Sequence, residues 1–269
     1  MALLQVNFLS SALKRTVPMT VILPVDKIFG DDRTEPDTPC FKTLYLLHGL
    51  LGNCTDWAMN TRIQQWAEAK NLAVVMPSGD NSFYVDQRIP NNDYGDFIGR
   101  ELVEITRKMF PLSHKREDTY IAGLSMGGYG ALRTGLLYPQ VFGFAGGLSS
   151  ALLTQKIESA IDENVFFRRR EFLETVFGCG LDGIEKTEHD VMELSRRLLA
   201  RVEAGEEALQ LPRLYLACGE QDGLLPLSRE LHADWEKLGI EHRYEEHEGN
   251  HEWAFWEWGL GRILEYLNE

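Results

Sequence analysis

The sequence predicts an α/β fold in which a mostly parallel sheet of eight strands carries helices on both faces. Short apolar, β-branched runs alternate with helix-compatible segments along the chain, as in a parallel sheet. Two strands joined by a short polar turn open the chain, which indicates a hairpin at one end of the sheet. A third observation is a strand, a sharp turn and a helix in succession, with Ser125 at the turn.

The strands are predicted from apolar runs of four to eight residues that are bounded by turn residues. We expect seven of them near residues 3–9, 16–23, 43–47, 72–76, 142–148, 213–218 and 242–246, and the eighth in the run that ends at Ser125. A loop rich in Asp and Pro, from Asp31 to Pro39, follows the opening hairpin. Pro77 is expected to stop the fourth strand, because proline cannot donate a ladder hydrogen bond.

Helices are predicted between these strands, at residues 62–70, after Ser125 and at residues 253–267. Another covers residues 96–110, because Ile98, Leu102, Ile105 and Met109 recur at helical spacing and share one face. Helices on both faces of a parallel sheet, together with the opening hairpin, suit the α/β-hydrolase architecture.

Residues 152–209 interrupt the alternation with charged, helix-prone sequence that includes Phe166-Phe167-Arg168-Arg169-Arg170. Because this segment follows one core strand and precedes the next, we expect a helical cap over the site; a peripheral surface insertion is the alternative. The arginines could meet an anionic substrate or lie on a solvated helix face. Residues 1–269 are predicted to form one domain that carries the insertion.

The bulk composition argues against several classes of partner. The formal net charge is −14 at pH 7 and no long basic run occurs, which argues against nucleic acid and anionic membranes. The four cysteines show neither C-x-x-C pairs nor zinc spacing, so we expect reduced thiols. The first ten residues resemble a strand more than a signal peptide, and no apolar stretch reaches transmembrane length. We therefore expect a cytoplasmic protein.

The turn at Ser125 has the pattern of a nucleophile elbow, Gly123-Leu-Ser125-Met-Gly127, in the strand–turn–helix context that the pattern requires. A serine on so tight a turn adopts a strained backbone, and side chains two residues to either side would clash. Gly123 and Gly127 remove those side chains. Gly128 and Gly130 are expected to let the following helix lie close against the sheet.

A nucleophilic serine needs a base, and the base needs a carboxylate that fixes its tautomer. In this architecture the three residues follow one another in the order Ser, Asp or Glu, His, each after a strand. Asp222 is the preferred acid and Glu220 the alternative, and His251 before the closing helix is the base candidate. His48 is predicted to be structural, and no metal site is expected.

Attack on an ester places negative charge on the carbonyl oxygen, which backbone N–H groups must stabilise. One donor is expected from Met126, the residue after the nucleophile, and the other from the loop after the third strand. Leu50 is the preferred second donor and Leu51 the reserve. The aromatic residues on predicted active-edge loops could wall a substrate pocket or pack into the core: Trp57, Phe83, Tyr84, Trp253 and Trp256.

The chain resembles the esterase D-like α/β-hydrolases, and most of all the bacterial tributyrin or acetyl esterases. The resemblance is carried by His48-Gly-Leu-Leu-Gly52 with Asp56-Trp57, by Pro77-Ser-Gly-Asp-Asn-Ser-Phe-Tyr84, by residues 123–130, and by the segments around Asp222 and Asn250-His251. It spans nearly the whole chain and is weakest over residues 152–209. S-formylglutathione hydrolases and feruloyl esterases are relatives within the same group. Cys54 weakly resembles the cysteine that the former carry in the loop after the third strand.

The resemblance implies a serine carboxylesterase acting on short acyl esters. It implies a triad of Ser125, Asp222 and His251 and an oxyanion hole from Leu50 and Met126. The alternatives are an S-formylglutathione hydrolase with the same triad, then a feruloyl esterase or an acyltransferase, and last a binding module without catalysis. The expected partner is a small-molecule ester, with no cofactor and no metal, and assembly into a homo-oligomer is left open.

Overall fold

A mixed eight-stranded sheet forms the centre of the computed structural model, which describes residues 1–26, 40–178, 180–207 and 209–268. The strands are β1 (Ala2–Ser10), β2 (Arg15–Leu23), β3 (Lys42–Leu47), β4 (Leu72–Pro77), β5 (Thr119–Leu124), β6 (Phe144–Leu148), β7 (Arg213–Gly219) and β8 (His242–His247). Their order is β1-β2-β4-β3-β5-β6-β7-β8. The β1–β2 and β2–β4 pairs are antiparallel and the other pairs are parallel, which confirms the predicted fold class.

The strand boundaries differ from the sequence prediction in small ways that have physical reasons. Strand β4 ends at Pro77, as predicted, but it includes the proline itself, which lies opposite Met19 of β2. Strand β6 begins at Phe144 because the Gly143 amide instead donates to the carbonyl oxygens of Arg116 and Thr119. The predicted loop from Asp31 to Pro39 lies outside the described residues.

Helices cover both faces of the sheet. They are α1 (Asp56–Asn60), α2 (Ile63–Ala69), α3 (Tyr94–Asp96), α4 (Leu102–Met109), α5 (Met126–Leu137), α6 (Ile157–Ala160), α7 (Arg170–Phe177), α8 (Val191–Glu203), α9 (Leu225–Lys237) and α10 (Trp253–Tyr266). The β3 side chains alternate between two cores: Leu44 and Leu46 pack with α1, α2 and α10, whereas Tyr45 and Leu47 pack with α4, α5, α8 and α9. The period of two along a strand thus divides the interior into two layers.

The predicted helix over residues 96–110 is not one regular helix. A π-helical turn, Phe97–Glu101, joins α3 to α4 and shifts the register of the buried face. Ile98 and Leu102 are fully buried, as predicted, but Met109 is 42% exposed, and Thr106 of α4 is buried instead. A π turn holds more residues per turn than 3.6, so the buried face departs from the predicted one further along α4, after Leu102.

The 152–209 segment has two parts with different surroundings. Residues 153–168 contribute Leu153, Ala160 and Phe167 to the wall of a cavity above the carboxyl edge of the sheet. The α7 and α8 helices instead pack into the main core, where Leu173 and Leu198 are buried. Only residues 153–168 of this segment therefore lie over the cavity, where the cap was expected.

Candidate active site

Ser125 lies between β5 and α5 with φ of 53° and ψ of −117°, a conformation that side-chain-bearing residues seldom adopt. A Cβ on Gly123 would lie 2.4 Å from the Gly127 carbonyl oxygen, and one on Gly127 would lie 2.5 Å from the carbonyl oxygens of Leu47 and His48. Only glycine fits at either position. Hydrogen bonds compensate for the strain, since the Ser125 amide donates to the Leu148 carbonyl at 2.8 Å.

The two later glycines of the elbow serve different contacts. A Cβ on Gly128 would lie 3.0 Å from the Leu148 carbonyl oxygen, so this residue does let α5 approach the sheet at β6. A Cβ on Gly130 would instead lie 2.5 Å from the Tyr84 ring. The prediction for Gly130 is therefore wrong in its partner, because Tyr84 belongs to the loop after β4.

The structure brings Ser125, His251 and Asp222 into one hydrogen-bonded line. His251 Nε2 is 3.0 Å from Ser125 Oγ, and His251 Nδ1 is 2.8 Å from Asp222 Oδ2. The Asp222 side chain is buried and follows β7, whereas Glu220, the alternative acid, is exposed. Burial alone would raise the pKa of the Asp222 carboxyl, but hydrogen bonds from His251, the Leu224 amide and Ser149 outweigh it and hold this pKa below its ordinary value.

Ser149 is a functional candidate that the sequence reasoning missed. It is fully buried just after β6, with φ of 46°, and its hydroxyl helps to lower the pKa of the Asp222 carboxyl. Trp256 Nε1 donates to Ser149 Oγ at 3.2 Å, and the His251 ring packs against the Trp256 ring at 5.0 Å. The sequence did offer one signal for Ser149: it directly follows a predicted strand, and that strand borders the strand that leads to Ser125.

The loops that carry the acid and the base are tied to each other. The Gly249 amide donates to Gln221 Oε1 at 2.7 Å, and the Gln221 amide donates to the Gly249 carbonyl at 3.1 Å. Gly249 has φ of 146°. A Cβ on Gly219 would lie 2.3 Å from the Gly249 carbonyl oxygen, so the two loops are in close backbone contact. These contacts fix the spacing between Asp222 and His251 through the backbone.

The proposed oxyanion donors flank the nucleophile. Met126 is the first residue of α5, and Leu50 lines the cavity in which Ser125 Oγ lies. The reserve donor, Leu51, already donates its amide to Asn81 Oδ1 at 2.8 Å. This contact favours Leu50 over Leu51 as the second donor.

His48 holds the loop that contains Leu50. Its ring is buried, Nδ1 donates to the Gly49 carbonyl at 2.6 Å, and Nε2 accepts from the Gly79 amide at 2.8 Å. Burial lowers the pKa of His48, which keeps the ring neutral and allows Nε2 to accept. The structural role that the sequence predicted for His48 agrees with these contacts.

A cavity of about 860 Å³ opens at Ser125, His251 and Asp222. Of the five predicted pocket aromatics, Phe83, Trp253 and Trp256 line it. Trp57 and Tyr84 do not: Trp57 donates Nε1 to the Leu47 carbonyl at 2.9 Å, and the Tyr84 hydroxyl donates to the His48 carbonyl at 3.0 Å. Both rings are instead buried supports of the loop after β3.

The arginine run in the cap is engaged in local contacts. Arg168 lines the cavity but donates Nε to the Ala160 carbonyl at 2.5 Å, and Arg170 pairs with Glu158 at 2.6 Å. The contact of Arg170 is an exposed ion pair on α7. The run therefore fastens the cap more than it faces the cavity.

The described residues contain neither a metal-binding cluster nor a helix that could span a membrane. Within 1–26, 40–178, 180–207 and 209–268, no three His, Cys, Asp or Glu side chains are grouped to hold a metal ion. No helix in these ranges is both long and apolar enough to cross a bilayer. Cys40, Cys54 and Cys218 are free thiols, and Cys179 lies outside the described residues.

Known proteins are similar to this chain over its whole length. The family model described as "Putative esterase" matches residues 10–267. An acetyl esterase of Caldicellulosiruptor saccharolyticus is 39% identical over 270 residues, which cover all of this chain and 99% of that protein. The S-formylglutathione hydrolase FrmB of Staphylococcus aureus is 31% identical with a TM-score of 0.82, covering 100% of this chain and 99% of that one.

A second solved structure is similar over the same extent. FphF, a fluorophosphonate-binding serine hydrolase of Staphylococcus aureus solved with substrate bound, is 30% identical with a TM-score of 0.84. It covers 100% of this chain and 98% of its own. Together these matches confirm the resemblance on which the sequence reasoning relied.

Proposed function

The chain belongs to the esterase family and is a serine esterase, and from that premise we propose that it hydrolyses short-chain acyl esters through Ser125, His251 and Asp222. The observation that carries the proposal is the hydrogen-bonded line from Ser125 Oγ to His251 at 3.0 Å and from His251 to Asp222 at 2.8 Å. Such a line is what a serine needs in order to lose its proton as it attacks.

The proposed reaction has two halves that share one base. His251 Nε2 accepts the Ser125 proton while Oγ bonds to the ester carbon, and the oxyanion receives hydrogen bonds from the Leu50 and Met126 amides. His251 then returns the proton to the leaving alcohol, and an acyl-serine remains. Water attacks this intermediate with His251 again as base, and the carboxylic acid and free Ser125 are released.

Asp222 stays ionised throughout this cycle. Its pKa lies below the ordinary value, so the carboxylate accepts from His251 Nδ1 and stabilises the imidazolium that forms during attack. Removal of a single oxyanion donor in enzymes of this type costs about 2.7–4 kcal/mol of transition-state stabilisation. We expect the same scale for the amides of Leu50 and Met126.

The preference for short acyl groups is supported by the full-length similarity to an acetyl esterase. A second candidate, S-formylglutathione hydrolysis, is favoured by the likeness to FrmB, which also extends over the whole chain. Acyl transfer has weaker support, since the mycolyltransferase Ag85A of Mycobacterium tuberculosis matches only 40% of this chain. The free thiols Cys40, Cys54 and Cys218 are compatible with the proposed cytoplasmic location.

The test is a substrate panel with the wild type and Ser125→Ala. We expect p-nitrophenyl acetate and butyrate to exceed octanoate, S-formylglutathione and methyl ferulate in kcat/KM. Ser125→Ala should lower kcat by about 10⁴–10⁶, because the hydroxyl and its base act as a unit. Thr61→Ala, which removes a hydroxyl that donates to the Trp57 carbonyl and accepts from the Ile63 amide, is the control.

The outcome separates the candidates. If kcat/KM for S-formylglutathione exceeds that for the esters by orders of magnitude, the protein is a thioesterase and the ester assignment is wrong. Retention of near-normal turnover in Ser125→Ala would rule out Ser125 as nucleophile. Addition of a chelator should leave the rate unchanged, since the proposed chemistry uses side chains alone.

A further inference from the structure

We propose that Asp56 and Trp253 form a subsite for the leaving alcohol and that this subsite selects alcohols with hydroxyl groups near the ester. The inference rests on the esterase function proposed above and names the substrate class of the same site. It concerns the half of the substrate that departs, which the triad geometry does not specify.

The leaving group must lie beside His251. The ring returns its proton to the leaving oxygen, so this oxygen has to come within hydrogen-bond reach of Nε2. Trp253 follows His251 by two residues, is half-buried and lines the cavity. Its ring contacts the Trp57 ring of α1 edge-on at 5.4 Å, so α1 lies beside the start of α10, and Asp56 of α1 lines the same cavity as Trp253.

Asp56 is the charged group of the cavity that lacks a partner. Its carboxylate forms no hydrogen bond or ion pair with any residue of the described ranges, although Asp56 lines the cavity and is half-buried. The two cations of the same cavity are engaged: Lys156 pairs with Glu230 at 2.6 Å, and Arg168 donates to cap carbonyls. A ligand in the cavity can therefore supply hydrogen-bond donors to this carboxylate.

The carboxylate is held in place by its surroundings. A Cβ on Gly52 would lie 2.1 Å from Asp56 Oδ2, so the carboxylate packs directly against the loop that carries the Leu50 amide. The helix that bears it is anchored, since the Trp57 indole donates to the Leu47 carbonyl and Asn60 Nδ2 donates to the Asp56 carbonyl at 2.8 Å. A ligand thus meets a positioned acceptor.

A carboxylate beside an aromatic ring is suited to a polyhydroxylated ligand. Hydroxyl groups donate to both carboxylate oxygens, and the ring packs on the apolar C–H face between them. An uncharged aliphatic alcohol cannot supply the donors. A leaving group that carries carboxylates would be repelled by Asp56, so the subsite also disfavours a glutathione thioester.

The experiment uses two acetates of similar size, 6-O-acetylglucose and cyclohexylmethyl acetate, with the wild type and Asp56→Asn. We expect the wild type to prefer the hydroxylated acetate, and the ratio of the two kcat/KM values to fall about ten- to a hundredfold in Asp56→Asn. Thermal melting checks that the variant is folded. Glu241→Gln is the matched control. It removes the same charge from an exposed residue just before β8, at the far end of that strand from the His251 loop.

Each result decides the matter. A fall in the ratio for Asp56→Asn but not for Glu241→Gln supports the subsite. An unchanged ratio, or equal losses on both acetates, overturns it while the esterase function stands. If the wild type cleaves neither these acetates nor p-nitrophenyl acetate, both the proposed function and the subsite that rests on it are wrong.

Discussion

Ser125 is held in a strained backbone conformation by interactions at both of its ends. Its amide donates to Leu148, and its carbonyl oxygen accepts from the amides of Tyr129 and Ala151 at 3.0 Å each. Ser149 repeats the arrangement one strand away, with a positive φ and an amide that donates to the Ala217 carbonyl at 2.8 Å. Two serines in unusual backbone conformations therefore lie at the ends of adjacent strands, and β6, which ends just before Ser149, lies between the strand of the nucleophile and the strand of the acid.

The contact between Ser149 and Asp222 gives a prediction for Ser149→Ala. Loss of the hydroxyl removes one of the hydrogen bonds that lower the pKa of Asp222, so the carboxylate will protonate at a higher pH. We expect kcat to fall about tenfold or more, as for other residues that orient a catalytic group. The acid limb of the kcat/KM profile should move to higher pH, which a purely structural defect would not cause.

The neighbouring Ser150→Ala is the matched control for this variant. Ser150 is equally buried, but its hydroxyl has no hydrogen-bond partner among the residues that the structure describes. Its removal should leave the pH profile in place. Coincident profiles of wild type and Ser149→Ala would mean that Ser149 does not act through Asp222.

At the scale of elements, the site depends on how closely α5 approaches β3. Gly127 lies against the carbonyl oxygens at the end of β3, so a methyl group there must push the helix away from the sheet. We expect Gly127→Ala to destabilise the fold by about 1–3 kcal/mol, the usual cost of overpacking. Esterase activity should fall with it, because the same helix start supplies the Met126 amide.

Gly261→Ala is the control for this prediction, and we expect it to raise the free energy of unfolding. Gly261 lies within α10, and a Cβ there would meet Trp66 at an ordinary distance of 3.7 Å. Alanine favours helix over glycine by about 0.8–1.0 kcal/mol. Denaturant unfolding should therefore show a stabilised Gly261→Ala; a stable, fully active Gly127→Ala would show that the elbow tolerates a side chain.

Elements that depend on local pattern could be predicted from the sequence, and those that depend on register or long-range contact could not. Strands such as β4 are apolar throughout because both faces are buried, and this leaves a clear signal. The π turn at Phe97–Glu101 leaves none, since it alters hydrogen-bond register and not composition.

The aromatic residues show the same limit at the site. Trp57 and Tyr84 stand on active-edge loops like Trp253, yet their hydrogen bonds to Leu47 and His48 turn them inward. Sequence position gives the edge on which a residue lies but not the direction of its side chain. The order of Ser125, Asp222 and His251 was predictable because parallel strands place their carboxyl ends together.

Across the whole molecule, a cluster of charges ties the edge strand β8 to the closing helix. Glu245 of β8 accepts from Arg262 of α10 at 2.8 Å and from Tyr215 of β7 at 2.9 Å. Arg243 also donates to Glu245, at 2.7 Å. The His251 loop connects β8 to α10, so this cluster ties together the two elements on either side of the loop that carries the base.

The cluster predicts how stability depends on pH. Hydrogen bonds from Arg262, together with those from Tyr215 and Arg243, outweigh burial and lower the pKa of Glu245 to about 2. Because the folded pKa lies below the unfolded value of about 4.3, this stabilisation is present above that pH and is lost as the pH falls toward 2. Glu245→Gln should therefore have a lower Tm at pH 7, and the difference from wild type should shrink at pH 3.

Glu104→Gln is the control, since Glu104 is exposed and, among the residues that the structure describes, pairs only with Arg100, which is 3.7 Å away on the helix surface. A surface pair of this kind contributes little, so its removal should hardly change Tm at either pH. A constant Tm difference between wild type and Glu245→Gln from pH 7 to pH 3 would show that the ionised carboxylate adds nothing beyond the shape of the side chain. In that case the loop of His251 would be held by packing of α10 alone.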